Sequence, residues 1–289
     1  MLAIILLALL AVSFAEDRIH NGKEAEPDLN NVVFIVSRYE DSSKDFGCTG
    51  TVISEHYVLT AAHCLSPSAK SVEVYARRWF FIFLNFPNAP SMQADQWIIH
   101  PDYKKVDTGD DIALIRVATP MTIPPVPLAA NYSHPKDDWL RVAGYGATNY
   151  TMINATHYEL TNRASSLMET YLQGADEKDC FNSLFLEGRP HLNVICLGKS
   201  NSTILQGDSG GPTFAQGKDG RFYQVGVSSF NGLMSALFKA ITWPLALEQP
   251  FTFLSGVTDV SHYCPWIEET TGGEVKCQTF EPTKIVPKF

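Results

Sequence analysis

The stretch 204-ILQGDSGGPTF-214 sets Ser209 between glycines and directly after Asp208, a context that can hold a hydroxyl as a nucleophile. Taken alone, a serine between glycines is usually just a turn. Gly-Asp-Ser-Gly-Gly also satisfies the looser Gly-x-Ser-x-Gly turn of the α/β-hydrolases, so the fold depends on where the serine's partners lie. An α/β-hydrolase needs its acid and then its histidine after the serine. Beyond Ser209 the only histidine is His262, in a presumptive terminal helix.

Better partners stand upstream. In 48-CTGTVISEHYVLTAAHC-64, His63 lies beside Cys64 after a strand-like run, with Cys48 at its other end, and a disulfide there would pin the His-bearing turn. In 108-TGDDIALIRV-117, Asp111 sits at the mouth of an apolar strand, where a carboxylate can be buried against an imidazole and orient it. Asp110 is the rival acid. The order His, Asp, Ser is the reverse of what an α/β-hydrolase requires, which speaks against an esterase of that class.

Composition narrows the alternatives. A chain of 289 residues, 45% hydrophobic and 18% charged, has enough apolar material for a sizeable core. The net charge of -9 argues against a nucleic-acid partner, which would call for clustered Lys and Arg. The basic doublets Arg77-Arg78 and Lys104-Lys105 read as solvated surface. Short β-rich runs at 32–37, 51–60, 72–75, 79–84, 112–117, 141–143 and 223–228, separated by turn residues, predict an all-β sandwich or barrel. Helix is expected only at 174–184 and 260–269, the latter with Pro265 near its start. A Pro-rich stretch at 119–127 reads as a linker between two β units.

The first fifteen residues are apolar up to Ser13-Phe14-Ala15, with small residues where a signal peptidase reads, although no Lys or Arg precedes the run. The run is shorter than the roughly 20 residues that span a bilayer, so a secretory signal and a soluble secreted chain are expected. Six cysteines behind such a signal imply an oxidising compartment and disulfides. Glycosylation sequons at Asn131, Asn149, Asn154 and Asn201 agree with secretion.

Together, "LTAAHC", "DIALI" and "GDSGGP", in this order, resemble the chymotrypsin/trypsin family of serine proteases, and the similarity runs from Ile19 to about Ile267. The resemblance implies two six-stranded antiparallel β-barrels with a C-terminal helix and the active site between them. It makes Ser209 the nucleophile, His63 the general base and then acid, and Asp111 the residue that orients His63. Asp111 is preferred over Asp110 because the family's aspartate immediately precedes the Ile-x-Leu strand. The N–H groups of Gly207 and Ser209 would form the oxyanion hole. Cleavage after Arg18 would free the Ile19 amine to pair with Asp208, leaving residues 16–18 as a short propeptide ahead of a peptidase domain at 19–289, with its inter-barrel linker near 119–130. His20 and Asn21 depart from the family's usual residues there.

The resemblance also assigns Thr203 to the floor of the specificity pocket, Ser229-Phe230-Asn231 to its wall and Ser255 to its back. A neutral floor disfavours Lys and Arg, and Asn231 and Ser255 narrow the slot, so an elastase-like preference leads a chymotrypsin-like one. Leu205 occupies a position where most relatives carry a pocket cysteine. The insertion-like segment 232–253 is either extra packing in place of that disulfide or a lid beside the pocket. Cys180 pairs with Cys196 in the family, which leaves Cys264 with Cys277. Between residues 72 and 100 only Glu73 and Asp95 are acidic, so no calcium loop, metal or cofactor is expected. Partners implied are protein or peptide substrates, an activating trypsin-like protease and protein inhibitors, around a monomer without nucleic acid or membrane span. A catalytically inactive relative serving as an extracellular binding protein is the competing reading.

Overall fold

The computed structural model describes Ile19 and residues 22–76, 91–154, 157–176, 192–200, 202–231 and 252–288. Its first strand, Lys23–Glu24 (β1), joins the edge of the second of two barrels. The first barrel is built from Val32–Arg38 (β2), Phe46–Val52 (β3), Tyr57–Thr60 (β4), Ser71–Tyr75 (β5), Met92–Ile99 (β6) and Ala113–Val117 (β7). These close in the order β2-β3-β4-β7-β6-β5, every neighbour antiparallel. Val32 to Ser37 and the whole of β4 are buried, which explains their continuous apolar lettering in place of alternation. The run expected at 51–60 is two strands. Ser54 turns the chain by accepting from Tyr57 N at 3.0 Å, and Ile53 N bonds Tyr57 O at 3.0 Å.

The second barrel uses Trp139–Gly144 (β8), Met168–Gly174, Val194–Ser200, Pro212–Gly217, Phe222–Asn231 and Thr252–Asp259. Between β8 and the next barrel strand a separate antiparallel hairpin intervenes, Ala147–Asn154 (β9) with His157–Arg163 (β10). The barrel strands after it are therefore β11 to β15 in chain order. They close as β8-β11-β12-β15-β14-β13 and back to β8. A final two-residue strand, Pro282–Thr283 (β16), adds to β13. The helix expected at 174–184 does not begin at Gly174. That residue ends β11, whose ladder with β8 and a bond from Gly174 N to Asp138 O (2.9 Å) commit its backbone to the sheet. Residues 177–191 and the strand expected at 79–84 lie outside the described residues.

The stretch between the barrels is hydrogen-bonded to both. Val126 N bonds Val52 O in the first (3.0 Å), and Gln224 N of the second bonds Pro127 O (2.9 Å). At the C-terminal end a 3-10 turn, Val260–Tyr263, capped by the Asp259 side chain, runs into the helix Cys264–Thr270 (α1), with Pro265 in its first turn. The Cys264–Cys277 disulfide folds the tail back beneath it. Ile267 of α1 and Ala143, Phe214 and Val227 of the second barrel join the core of the first, so the two barrels share one apolar seam.

The N-terminal strap is tied down by a buried ion cluster. Arg141 is only 2% exposed. Its Nη atoms reach Asp28 at 2.7 and 2.9 Å and its Nε reaches Glu169 at 2.9 Å. Burial works against the guanidinium charge, but the hydrogen bonds and charges of Asp28 and Glu169 outweigh it and hold the pKa above the ordinary arginine value.

Candidate active site

His63 lies in the 3-10 turn Ala62–Cys64 that ends β4. The Cys48–Cys64 disulfide anchors this turn to β3, and the Ser37 hydroxyl bonds Cys64 O at 2.9 Å. Asp111 is buried just ahead of β7. Its Oδ2 receives His63 Nδ1 at 2.8 Å, its Oδ1 receives His63 N at 2.9 Å, and the Ser229 hydroxyl donates to Oδ2 as well. Thr258 Oγ1 holds the Asp111 main-chain carbonyl at 3.0 Å. A carboxylate only accepts, so Nδ1 is the donor of this pair, and in the neutral form of the ring Nε2 is then the nitrogen with the lone pair. The rival acid faces elsewhere: Asp110 has a left-handed φ of 56° and accepts from the Tyr263 hydroxyl at 2.9 Å. Burial, then the charges of Asp111 and Asp107, push the nearby Tyr103 phenol up to about 12.

Ser209 sits in the loop before β13, where Gly207 and Gly210 take φ of 102° and 79°. At Gly210 a side chain is excluded twice over, since its Cβ would also lie 2.1 Å from Thr60 Oγ1 at the end of β4. The loop therefore packs against the strand that delivers His63. The carbonyls of residues 206–209 are engaged. Gln206 O accepts from Ala147 N (2.8 Å), Gly207 O from the Thr49 hydroxyl (2.8 Å), Asp208 O from Gly211 N (2.9 Å) and Ser209 O from Thr49 N (2.9 Å). In a trans peptide the N–H points opposite to the C=O. The N–H groups of Gly207 and Ser209 are thereby turned away from Ala147 and Gly211. Neither finds an acceptor among the described residues. Also among them, no hydrogen bond joins Ser209 to His63.

The Asp208 carboxylate is wholly buried, with Gly146 N on Oδ1 and Leu205 N on Oδ2, both at 2.8 Å. Ile19 is also buried, packed on Ala164 and Met168. Those two residues bond or pair with Gly146 and Gly144, the glycines that press on Asp208. Arg18, His20 and Asn21 lie outside the described residues.

The three expected pocket residues come together. Thr203 and Ser255 are fully buried with their hydroxyls 3.1 Å apart, and Asn231 pairs across the ladder with Ser255. Phe230 pairs with Gly256 beside them. Of the segment 232–253 only Thr252 and Phe253, at the start of β15, are described. Cys196 is disulfide-bonded; Cys180, its expected partner, falls outside the described residues. Among the sequons Asn131 is exposed, Asn149 is half-buried, Asn154 ends β9, and Asn201 is outside. The one cluster of metal-type ligands among the described residues, Cys48, His63 and Cys64, has both sulfurs in the disulfide.

Sequence reasoning did not find Thr49, Thr258 or the Tyr145-Gly146-Ala147 turn. Ser229 was read only as pocket wall. Its hydroxyl is in fact a ligand of Asp111. Nothing in the lettering near Thr49 signals its contacts, which are made across 96 and 158 residues of chain.

Two closed barrels with a short terminal helix are the chymotrypsin-like fold. A family model described as Trypsin matches residues 19–239, and the chain belongs to this family of serine proteases. It is 28% identical to a tryptase of Mus musculus over 232 residues, covering 76% of this chain and 77% of that one. It is 31% identical to phenoloxidase-activating factor 3 of Holotrichia diomphalia over 216 residues, 66% of this chain and 58% of the other. Granzyme F of Mus musculus is 27% identical over 278 residues, 91% of this chain and 95% of that protein. No helix among the described residues is long and apolar enough to cross a membrane.

Proposed function

We propose that this chain is a secreted serine endopeptidase, made as a zymogen, that cleaves peptide bonds through an acyl-enzyme on Ser209. The observation that carries the reading is the 2.8 Å bond between His63 Nδ1 and the buried Asp111, which leaves Nε2 as a base. As Ser209 Oγ adds to the substrate carbonyl carbon, Nε2 takes its proton and Asp111 stabilises the imidazolium. The carbonyl oxygen gathers charge and is received by the N–H groups of Gly207 and Ser209. The imidazolium then protonates the departing amine as the C–N bond breaks. Water enters, gives its proton to Nε2, and releases the acid by the same steps. The test is hydrolysis of a peptide library by the cleaved chain and by Ser209→Ala. Activity in the first and none in the second supports the reading, and equal activity in both rejects it.

The signal is assigned to residues 1–15 and the propeptide to 16–18. Ile19 supports activation by cleavage after Arg18: its φ of 37° is a costly backbone for a β-branched residue, and cutting the 18–19 bond removes that constraint. The freed amine would pair with Asp208. An activating trypsin-like protease and protein inhibitors are the partners this scheme calls for. For the pocket, the buried Thr203–Ser255 hydroxyl pair favours small or medium uncharged side chains, because a cation there loses hydration and gains no carboxylate. A binding protein without activity is the second reading. The missing Ser209–His63 hydrogen bond is the observation on its side, and an unliganded site often lacks that bond.

A further inference from the structure

We infer that Thr49 is a positioning residue for the oxyanion site, a role that rests on the protease reading above. Thr49 comes from β3 of the first barrel and is wholly buried. Its hydroxyl donates to Gly207 O at 2.8 Å and accepts from Tyr145 N at 3.0 Å. Its own N–H donates to Ser209 O at 2.9 Å, and its carbonyl accepts from Thr60 Oγ1 at 2.9 Å. One residue thus grips the peptide after Gly207 and the peptide after Ser209, the two residues whose N–H groups face the developing oxyanion.

The hydroxyl completes a register. Three successive N–H groups are directed at the serine loop: Ala147 N takes Gln206 O, Gly146 N takes the Asp208 carboxylate, and Tyr145 N reaches Gly207 O through Thr49. A hydroxyl is required at the third place because it must accept from one side and donate to the other. A carbon there would take its donor from the buried Gly207 C=O and remove the hydroxyl that accepts from Tyr145 N. The peptide after Gly207 would then be held only at its other end, by Asp208 N on Leu205 O at 3.0 Å, and Gly207, in a left-handed backbone with no side chain to steady it, could shift its own N–H.

The experiment uses the full chain cleaved after Arg18 and compares wild type, Thr49→Val and Thr49→Ser. Thr49→Val keeps the shape and removes the hydroxyl; kcat should fall about 10- to 100-fold, with KM changed by no more than about threefold. Affinity for a peptide boronic acid, whose tetrahedral adduct places an oxygen in the oxyanion site, should weaken by a matching factor. Thr49→Ser should recover most of both. If Thr49→Val is not secreted, Thr49→Ala is read in the same way. Unchanged kcat and boronate affinity in the hydroxyl-free variant overturn the role, as does equal damage in Val and Ser, which would point to the methyl group. A cleaved wild type without Ser209-dependent hydrolysis overturns the protease reading and this role with it, an outcome distinct from an active wild type indifferent to Thr49.

Discussion

The two halves of the candidate site are held in place by different means. On the first barrel, His63 and Asp111 are fixed by a covalent link and by bonds onto one carboxylate: the Cys48–Cys64 disulfide, the ring and main-chain N–H groups of His63 on Asp111, and the Ser229 hydroxyl reaching it from the second barrel. On the second, the Ser209 loop is held mainly by peptide groups, through Ala147, Gly211, Ser228, the Thr49 N–H and the backbone donors to Asp208, with the Thr49 hydroxyl as a side-chain bond among them. Backbone bonds of that kind depend on how neighbouring segments are arranged, so this half is the one that can respond to a change at Ile19. Under the proposed zymogen reading, the contrast locates where control would enter. An imidazole–carboxylate pair is ready as folded, and a loop shaped by its neighbours can be made conditional.

The contrast can be broken from either side. Ser209→Ala should cost the most, about a million-fold in kcat, with no change in the melting profile, as checked by steady-state kinetics and calorimetry. Asp111→Asn should follow at about 10⁴-fold, because an amide can fix the wrong imidazole tautomer. Asp208→Asn probes the conditional half: after cleavage at Arg18, kcat/KM should stay about 10²- to 10³-fold below wild type, while His63 and Asp111 remain paired, as seen in the downfield imidazole proton resonance. Asn231→Gly should widen acceptance of Phe and Tyr after which to cut by about 10-fold in competitive library cleavage. Arg141→Met lies away from both halves; it leaves the buried Glu169 with only Lys23 at 3.6 Å and Glu26 N at 3.3 Å, lowers stability by about 3 kcal/mol in denaturant unfolding and leaves kcat within about twofold.

The sequence announced some of this and concealed the rest. His63 stands beside a cysteine, Ser209 among glycines and Asp111 before an apolar run, so local constraints mark each of them. The all-β architecture followed from short apolar runs such as 32–37 and 112–117. The strands Met92–Ile99 and Met168–Gly174 escaped notice because neither sustains an alternation: β6 loses its own at a register shift between Ala94 and Gln96, and β11 buries a glutamate against an arginine 28 residues earlier. Arg141 itself passed as a polar residue in a strand, since its acid partners lie 113 and 28 residues away. Thr49 was silent for the same reason. Its work is done by a hydroxyl between two backbone groups that only the packed barrels bring together.

The most direct test is the rate at which a serine-directed phosphonate modifies the protein before and after cleavage behind Arg18, with the adduct located by peptide mass mapping. The account predicts a single adduct on Ser209, slow in the intact chain and faster after cleavage by about two orders of magnitude, the scale of an oxyanion site being assembled. A cleaved, folded chain that carries no adduct on Ser209 would contradict it.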